Sequence, residues 1–200
     1  MAKPLEFYFD YSSPYGYVAS HRIDAIAAKH GRTVDWKPYM LGAVFKIAGT
    51  QPLVSYPLKG DYSKHDFLRS ARLHGVPFRF PSKFPLGTIA AARGHYWLGE
   101  SKPAVVHDFD RAVYGAYFAE DRDISDSGIV ADIAASLGVD RAAFMAGIEL
   151  PATKAKVKEV TDEAIARGVF GSPFIFIDGE PFWGNDRLDM VDQWLATGGW

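Results

Sequence analysis

Strand-forming sequence is confined to the two ends of this 200-residue chain, so any sheet has to be assembled from residues remote in sequence. Leu5 to Phe9 is an apolar, aromatic run that Asp10 ends. Thr33-Val34-Asp35-Trp36-Lys37 alternates apolar and polar residues up to Pro38. Phe174-Ile175-Phe176-Ile177 is the third run, and Asp178-Gly179, a strong two-residue hairpin signal, turns it into Pro181-Phe182-Trp183. Proline cannot donate to a ladder, which puts this fourth run at an edge. Between the first two runs Ala19, Ile23, Ile26 and Ala27 repeat at helical spacing and Gly31 ends the pattern. One helix of about 15 residues between two strands makes a βαβ unit, with parallel strands and a right-handed crossover.

The middle of the chain predicts helices and no strand. Leu41 to Pro57, with its glycines, prolines and single apolar residues, reads as an active-site loop or irregular helix. Asp61–His74, Thr88–Leu98, Pro103–Ala119, Ile129–Leu137, Arg141–Ile148 and Ala152–Arg167 read as helices. Asn185 can cap a last helix whose Leu188, Val191 and Leu195 face the core. The expectation is an α/β chain ordered βαβ…αββα with a large all-helical insertion. Residues 1–42 and 150–200 form one domain and residues 43–149 the insertion.

Composition removes whole classes of chemistry. There is no cysteine, which excludes disulfides, thiolate-bound metals, iron–sulfur clusters and any thiol chemistry carried by the chain itself. The six histidines form neither H-x-H nor H-E-x-x-H, so no metal site is expected, and G-x-S-x-G, P-loop and G-x-G-x-x-G patterns are missing. Lysine and arginine number 22 against 24 acidic residues, a net charge of −2 that argues against a nucleic-acid partner. From Met1 the chain meets Glu6 and Asp10 before a leader's apolar region could form, and nothing approaches a membrane span. A cytoplasmic protein without a membrane partner is expected.

Three short segments carry polar groups that have two readings each. Ser13-Pro14 lies where the first strand turns into the first helix; Ser13 serves as an N-cap, and the same free amides and hydroxyl would stabilise an anion. Ser172-Pro173 precedes the third strand, either as a trans loop proline or as a cis bond that turns the Ser172 N–H and C=O outward towards a peptide-like ligand. Gly184-Asn185-Asp186-Arg187 is either another cap or a seat for the amino-acid end of a ligand, its amine on Asp186. From Lys59 to Lys83 six basic residues face two acidic ones, for the most part a solvated helix face, with Lys46 and Lys59 the better placed to bind a small carboxylate.

Strand, Asp10-Tyr11-Ser12-Ser13-Pro14-Tyr15, helix, and later Phe170-Gly171-Ser172-Pro173 before a hairpin make the chain similar, over its whole length, to the thioredoxin superfamily with a helical insertion. It resembles the branch of DsbA-type oxidoreductases, kappa-class glutathione transferases and 2-hydroxychromene-2-carboxylate isomerases. Trp183-Gly184-Asn185-Asp186-Arg187-Leu188 points to the isomerases. The resemblance implies glutathione as cofactor and a homodimer. Ser13 then stands at the first redox cysteine and bonds the glutathione sulfur as the catalytic residue. Ser172 and Pro173 hold the cysteinyl part, Asn185 and Asp186 the γ-glutamyl end, and Lys59 the glycine carboxylate. Lys46 would pair with a small aromatic carboxylate substrate, and Phe84, with Phe45 and Trp183, would line its ring. Thr50 departs from the asparagine that relatives often carry. The implied reaction is glutathione-dependent isomerisation of 2-hydroxychromene-2-carboxylate to trans-o-hydroxybenzylidenepyruvate, a step in aromatic hydrocarbon breakdown, by reversible thiolate addition. A kappa-like transferase or peroxidase is the alternative, and a thiol-free thioredoxin-like module that binds a peptide at the proline edge is the non-enzymatic one.

Overall fold

A computed structural model describes residues 3–200. Four strands form one sheet in the order β2-β1-β3-β4: β1 Leu5–Phe9, β2 Val34–Pro38, β3 Phe174–Ile177 and β4 Glu180–Trp183. β1 runs parallel to β2, with Leu5 opposite Val34 and Phe9 opposite Pro38. It runs antiparallel to β3, with Phe7 opposite Ile175. The β3–β4 turn places Asp178 and Gly179 both at positive φ, as a two-residue hairpin requires. β4 is an edge strand, as Pro181 implied.

Side chains of β1 alternate between two apolar layers. Leu5, Phe7 and Phe9 join the larger core with Trp36, Tyr17, Val113 and Tyr114. Tyr8 points the other way, to Tyr39, Phe174, Phe176, Val160 and Ala164. With helices on both faces, β3 is buried at every residue, which explains its unbroken apolar run.

Helices fill the rest of the order: α1 Pro14–Ser20, α2 Ile23–Lys29, α3 Leu41–Ala48, α4 Lys59–Leu73, α5 Ile89–Ser101, α6 Val106–Phe118, α7 Ser127–Ser136, α8 Arg141–Gly147, α9 Pro151–Ala166 and α10 Leu188–Thr197. Among the described residues no strand lies between β2 and β3. The expected order is borne out, with three local corrections. The first helix is two: the Ser20 hydroxyl donates to the Tyr17 carbonyl at 2.7 Å, a competing bond at the last residue of α1, and the chain restarts at Ile23. Leu41 to Ala48, read as irregular, is a regular helix that Gly49 ends in the left-handed conformation. Asn185 does not cap the last helix; it opens a 3-10 turn, Asn185–Arg187, and α10 starts at Leu188 without a side-chain cap.

One polar cluster fastens α9 to the sheet. Glu6 and Tyr8 of β1, Lys37 of β2, and Glu163 and Arg167 of α9 share hydrogen bonds, including Tyr8 Oη to Glu163 Oε1 at 2.7 Å and Lys37 Nζ to Glu6 Oε2 at 2.8 Å. Its hydrogen bond from Arg167, helped by Lys37, holds the Glu6 carboxyl down at about 2.

Candidate active site

The turn after β1 is organised by Asp10, whose carboxylate is fully enclosed. Oδ1 accepts from Ser12 N–H and Ser12 Oγ, each at 2.8 Å, and from Thr88 Oγ1 at 3.0 Å. Oδ2 accepts from the Leu41 N–H at 2.9 Å, the first amide of α3. Asp10 N–H donates to Ser172 Oγ at 3.0 Å, and its C=O accepts from Tyr114 Oη at 3.1 Å. One residue thus ties its own turn to α3, to the start of α5, to α6 and to the loop before β3. Burial raises its carboxyl above the ordinary range, because every group that bonds it is uncharged and the four bonds only partly offset desolvation.

Ser13 caps α1: its Oγ accepts the Gly16 N–H at 3.0 Å, with Pro14 next in line. The same hydroxyl donates to the Ser172 carbonyl at 2.7 Å. Gly16 makes this approach possible, since a Cβ there would sit 2.6 Å from Tyr114 Oη and 3.0 Å from Ser172 Oγ. α1 is only seven residues long, so the turn offers local N–H groups and a hydroxyl more than a long helix dipole.

The Ser172–Pro173 bond is cis, the second of the two readings. Its Ser172 carbonyl, expected to point outward, is instead engaged by Ser13, because the β1–α1 turn packs directly on this loop. The Ser172 N–H has no protein partner among the described residues. The Pro173 carbonyl accepts from Gly184 N–H at 3.1 Å, which brings the end of β4 alongside. The 3-10 turn that follows packs against α1. There Asn185 is buried, 5% exposed, and its Oδ1 has no hydrogen-bond partner among the described residues. Asp186 is exposed and pairs with Arg187 at 3.1 Å. Ser13, Ser172, Pro173, Asn185 and Asp186 therefore come together at one end of the sheet.

Lys46, near the end of α3, and Lys59, the first residue of α4, are exposed and share no hydrogen bond or ion pair with that cluster among the described residues. Neither has a carboxylate partner among the described residues, nor has Arg72, whereas Lys64, Arg69, Arg79 and Lys83 are ion-paired. The arm from α3 to the start of α4 is rooted at the cluster on both sides. α3 starts on Asp10, and α4 meets Tyr15, whose Oη donates to Asp66 Oδ2 at 2.6 Å and whose ring packs on Phe67 at 4.9 Å. Burial and the Asp66 carboxylate raise the Tyr15 phenol well above its usual value. Phe84 is half-buried among Phe67, Phe80 and Tyr117, one ring removed from Tyr15, and its bond to Pro85 is also cis. Two surface hollows, of about 220 and 230 Å³, are lined by none of the residues of the Ser13 cluster: one lies by Tyr117 and Asp121, the other by Phe182, Trp183 and Trp194.

Sequence reasoning missed Asp10, although an aspartate two residues before a serine amide is a turn signal. It also missed a buried chain behind the turn, in which Tyr11 Oη donates to Asp110 Oδ1 at 2.5 Å and His95 Nδ1 lies 3.0 Å from both Asp110 oxygens. Nothing in the sequence spacing of those three residues marks them as partners.

The profile of the DSBA-like thioredoxin domain family matches residues 4–196. A 2-hydroxychromene-2-carboxylate isomerase of Pseudomonas putida is 33% identical over 193 residues, 94% of this chain and 92% of the relative. A kappa 2 glutathione S-transferase of Caenorhabditis elegans is 28% identical over 209 residues, covering 97% of this chain and 92% of its own. A solved structure of a 2-hydroxychromene-2-carboxylate isomerase superposes with a TM-score of 0.84 at 31% identity, covering 96% of this chain and 94% of that one.

Proposed function

This chain belongs to the DSBA-like thioredoxin domain family, alongside the 2-hydroxychromene-2-carboxylate isomerases, and from that membership we propose that it is a glutathione-dependent isomerase acting on 2-hydroxychromene-2-carboxylate. The observation that carries the reading is Asn185 Oδ1: a buried acceptor without a donor, set beside Ser13 and the cis-proline in a chain that has no thiol. A buried amide oxygen left unpaired costs about 1–3 kcal/mol, which a ligand ammonium or N–H would recover. The γ-glutamyl amine of glutathione is such a donor, with the Asp186 carboxylate as its charge partner. The free Ser172 N–H suits the cysteinyl carbonyl, and Lys59 the glycine carboxylate.

Held by Ser13, Ser172, Asn185, Asp186 and Lys59, glutathione would supply the thiolate nucleophile that reversible addition to the substrate's unsaturated carbon needs. Ser13 stabilises that sulfur. Its hydroxyl leaves the Ser172 carbonyl, which a cysteinyl N–H takes over, so the exchange leaves no acceptor bare. Lowering a thiol pKa by about two units takes ~2.7 kcal/mol, the scale of charge-assisted hydrogen bonds. Asp10 fixes Ser172 and α3 in place. Lys46 binds the substrate carboxylate, and Phe84 and Trp183 contribute apolar surface. The same reading divides the chain into residues 1–42 with 150–200 and an insertion of 43–149, makes the molecule a cytoplasmic homodimer, and assigns no metal. Among the described residues no helix is long and apolar enough to cross a membrane.

Turnover of the chromene carboxylate followed spectrally, with and without glutathione, tests the reading, and Ser13→Ala sharpens it. Ser13→Ala is expected to lower kcat about 100-fold, the effect of removing one donor from a developing anion, with glutathione affinity changed by less than about threefold. Turnover without glutathione, or full activity in Ser13→Ala, overturns the assignment. The kappa relative keeps a transferase or peroxidase as the second reading; conjugation of halogenated aromatics or reduction of hydroperoxides in place of isomerisation would establish it. A peptide-binding module would show no calorimetric glutathione binding at millimolar concentration.

A further inference from the structure

Leu58 combines two costs that a surface residue ordinarily avoids. At 93% exposure it is the most exposed large apolar side chain among the described residues. It also holds φ 64 and ψ −53, where Lys59 N–H donates to the Pro57 carbonyl at 2.7 Å across it. That is the strained form of the γ-turn, uncommon for any side chain. The other two side-chain-bearing residues at positive φ are aspartates, which tolerate it.

The arm around Leu58 holds it there. Gln51 N–H donates to Tyr56 Oη at 3.2 Å, Gln51 Nε2 donates to the Ser55 carbonyl at 3.3 Å, and Gly60 N–H returns to the Tyr56 carbonyl at 2.9 Å. Gly60 lies so close to Val54 O that a Cβ would stand 2.6 Å away. Lys59 Nζ lies 5.5 Å above the Tyr56 ring. A braced, strained residue that presents a whole leucine to solvent fits a binding role better than a packing one.

The surroundings define what it binds. Ile47, Leu53 and Tyr62 are exposed on the same arm, and among the described residues Lys46 and Lys59 have no carboxylate partner. Unpaired cations beside exposed apolar groups complement an anion with a ring. Both roots of the arm stand on the Ser13 turn, at Asp10 and Tyr15, and Lys59 is seven residues, roughly 10 Å, along α4 from Asp66.

We propose that Leu58 is a specificity-determining residue, an apolar clasp that the braced arm holds out to cover the aromatic ring of the carboxylate substrate. The inference rests on the function proposed above and adds the residue that selects the ring. Leu58→Gly removes both strain and clasp; Leu58→Met keeps an apolar side chain. Melting temperature, calorimetric Kd for glutathione, Kd for 2-naphthoate as an unreactive aromatic carboxylate, and kcat and KM for the chromene carboxylate are read for each. Leu58→Gly is expected to melt no lower than the parent and to bind glutathione within twofold, yet to raise the 2-naphthoate Kd and the substrate KM at least fivefold. Leu58→Met should restore both.

An unchanged 2-naphthoate Kd in Leu58→Gly overturns the clasp. So does a shift of Leu58→Gly from dimer to monomer in light scattering, which would make the patch a contact between copies of the chain. A parent protein that turns over no chromene carboxylate defeats the functional reading instead, and the 2-naphthoate measurement still decides the clasp.

Discussion

At the turn between β1 and α1, Asp10, Ser13 and Ser172 are buried, and their side-chain oxygens are bonded to one another or to neighbouring segments. In the arm from α3 to the start of α4, the two lysines have no ion partner among the described residues and Ile47, Leu53, Leu58 and Tyr62 are exposed. The two regions are joined at Leu41 and Tyr15, yet they solve opposite problems. A group that must stabilise charge at one atom works best when its position is fixed before the ligand arrives. A surface that must receive a ring and a carboxylate needs groups that are not already satisfied. The comparison implies that damage to the turn is read as lost folding or lost kcat, whereas damage to the arm is read in KM.

Asp10→Ala should give the largest effect on stability. It leaves the Leu41 N–H, the Thr88 hydroxyl and the Ser12 N–H without their acceptor in a closed site. Each costs about 1–3 kcal/mol, partly offset by removing a carboxylate whose ionisation burial opposes. A loss of roughly 3 kcal/mol, about 10 °C in Tm for a chain this long, is expected by calorimetry. A variant that melts within a degree or two of the parent would show that the turn is not the fixed point the comparison makes it.

The other end of β1 supplies a control of opposite sign. Glu6 faces Arg167 and Lys37, so its folded pKa of about 2 lies below the ordinary 4.5. A depressed carboxyl contributes stability that is present above about 4.5 and is lost as pH falls towards 2. Asp10 is shifted upward, so its contribution runs the other way, and stability declines as pH rises above its ordinary 3.8. Glu6→Gln should flatten the acid limb of the stability curve and cost about 1 kcal/mol at neutral pH, after allowing for solvent screening. The effect should vanish below pH 2; a variant whose deficit is constant with pH would locate it in packing, not charge.

How much of this was legible in the sequence follows the same division. The strands, the edge position of β4 and the Ser13 cap could be read because each depends on residues within a few positions of one another. Asp10 could not, because its partners Leu41, Thr88, Tyr114 and Ser172 are brought to it by tertiary packing. The sequence predicts one continuous first helix because apolar spacing is preserved across the break, while a serine back-bond marks the end of α1. The cis bond at Ser172-Pro173 is one of two readings that local sequence allows, whereas the direction of the Ser172 carbonyl depends on the Ser13 hydroxyl, far away in sequence. On the arm, Lys46 and Lys59 were visible as charges, but the strain at Leu58 has no signature in its neighbours' identities.

The smallest expected changes test the arm as a receiving surface. Lys46→Ala and Lys59→Ala remove exposed side chains that bond no carboxylate, so each should shift stability by no more than about 0.5 kcal/mol. Their effects should separate by ligand: Lys59→Ala raises the glutathione Kd severalfold, and Lys46→Ala raises the KM for the aromatic carboxylate with kcat nearly unchanged. Because both lysines are exposed, their attraction is screened by salt. Raising ionic strength should therefore weaken binding by the parent and leave the double variant almost unaffected. Should either lysine prove to govern kcat, charge on the arm would act on the reacting atoms, and the division between a fixed turn and a receiving arm would have to be redrawn with that lysine on the catalytic side.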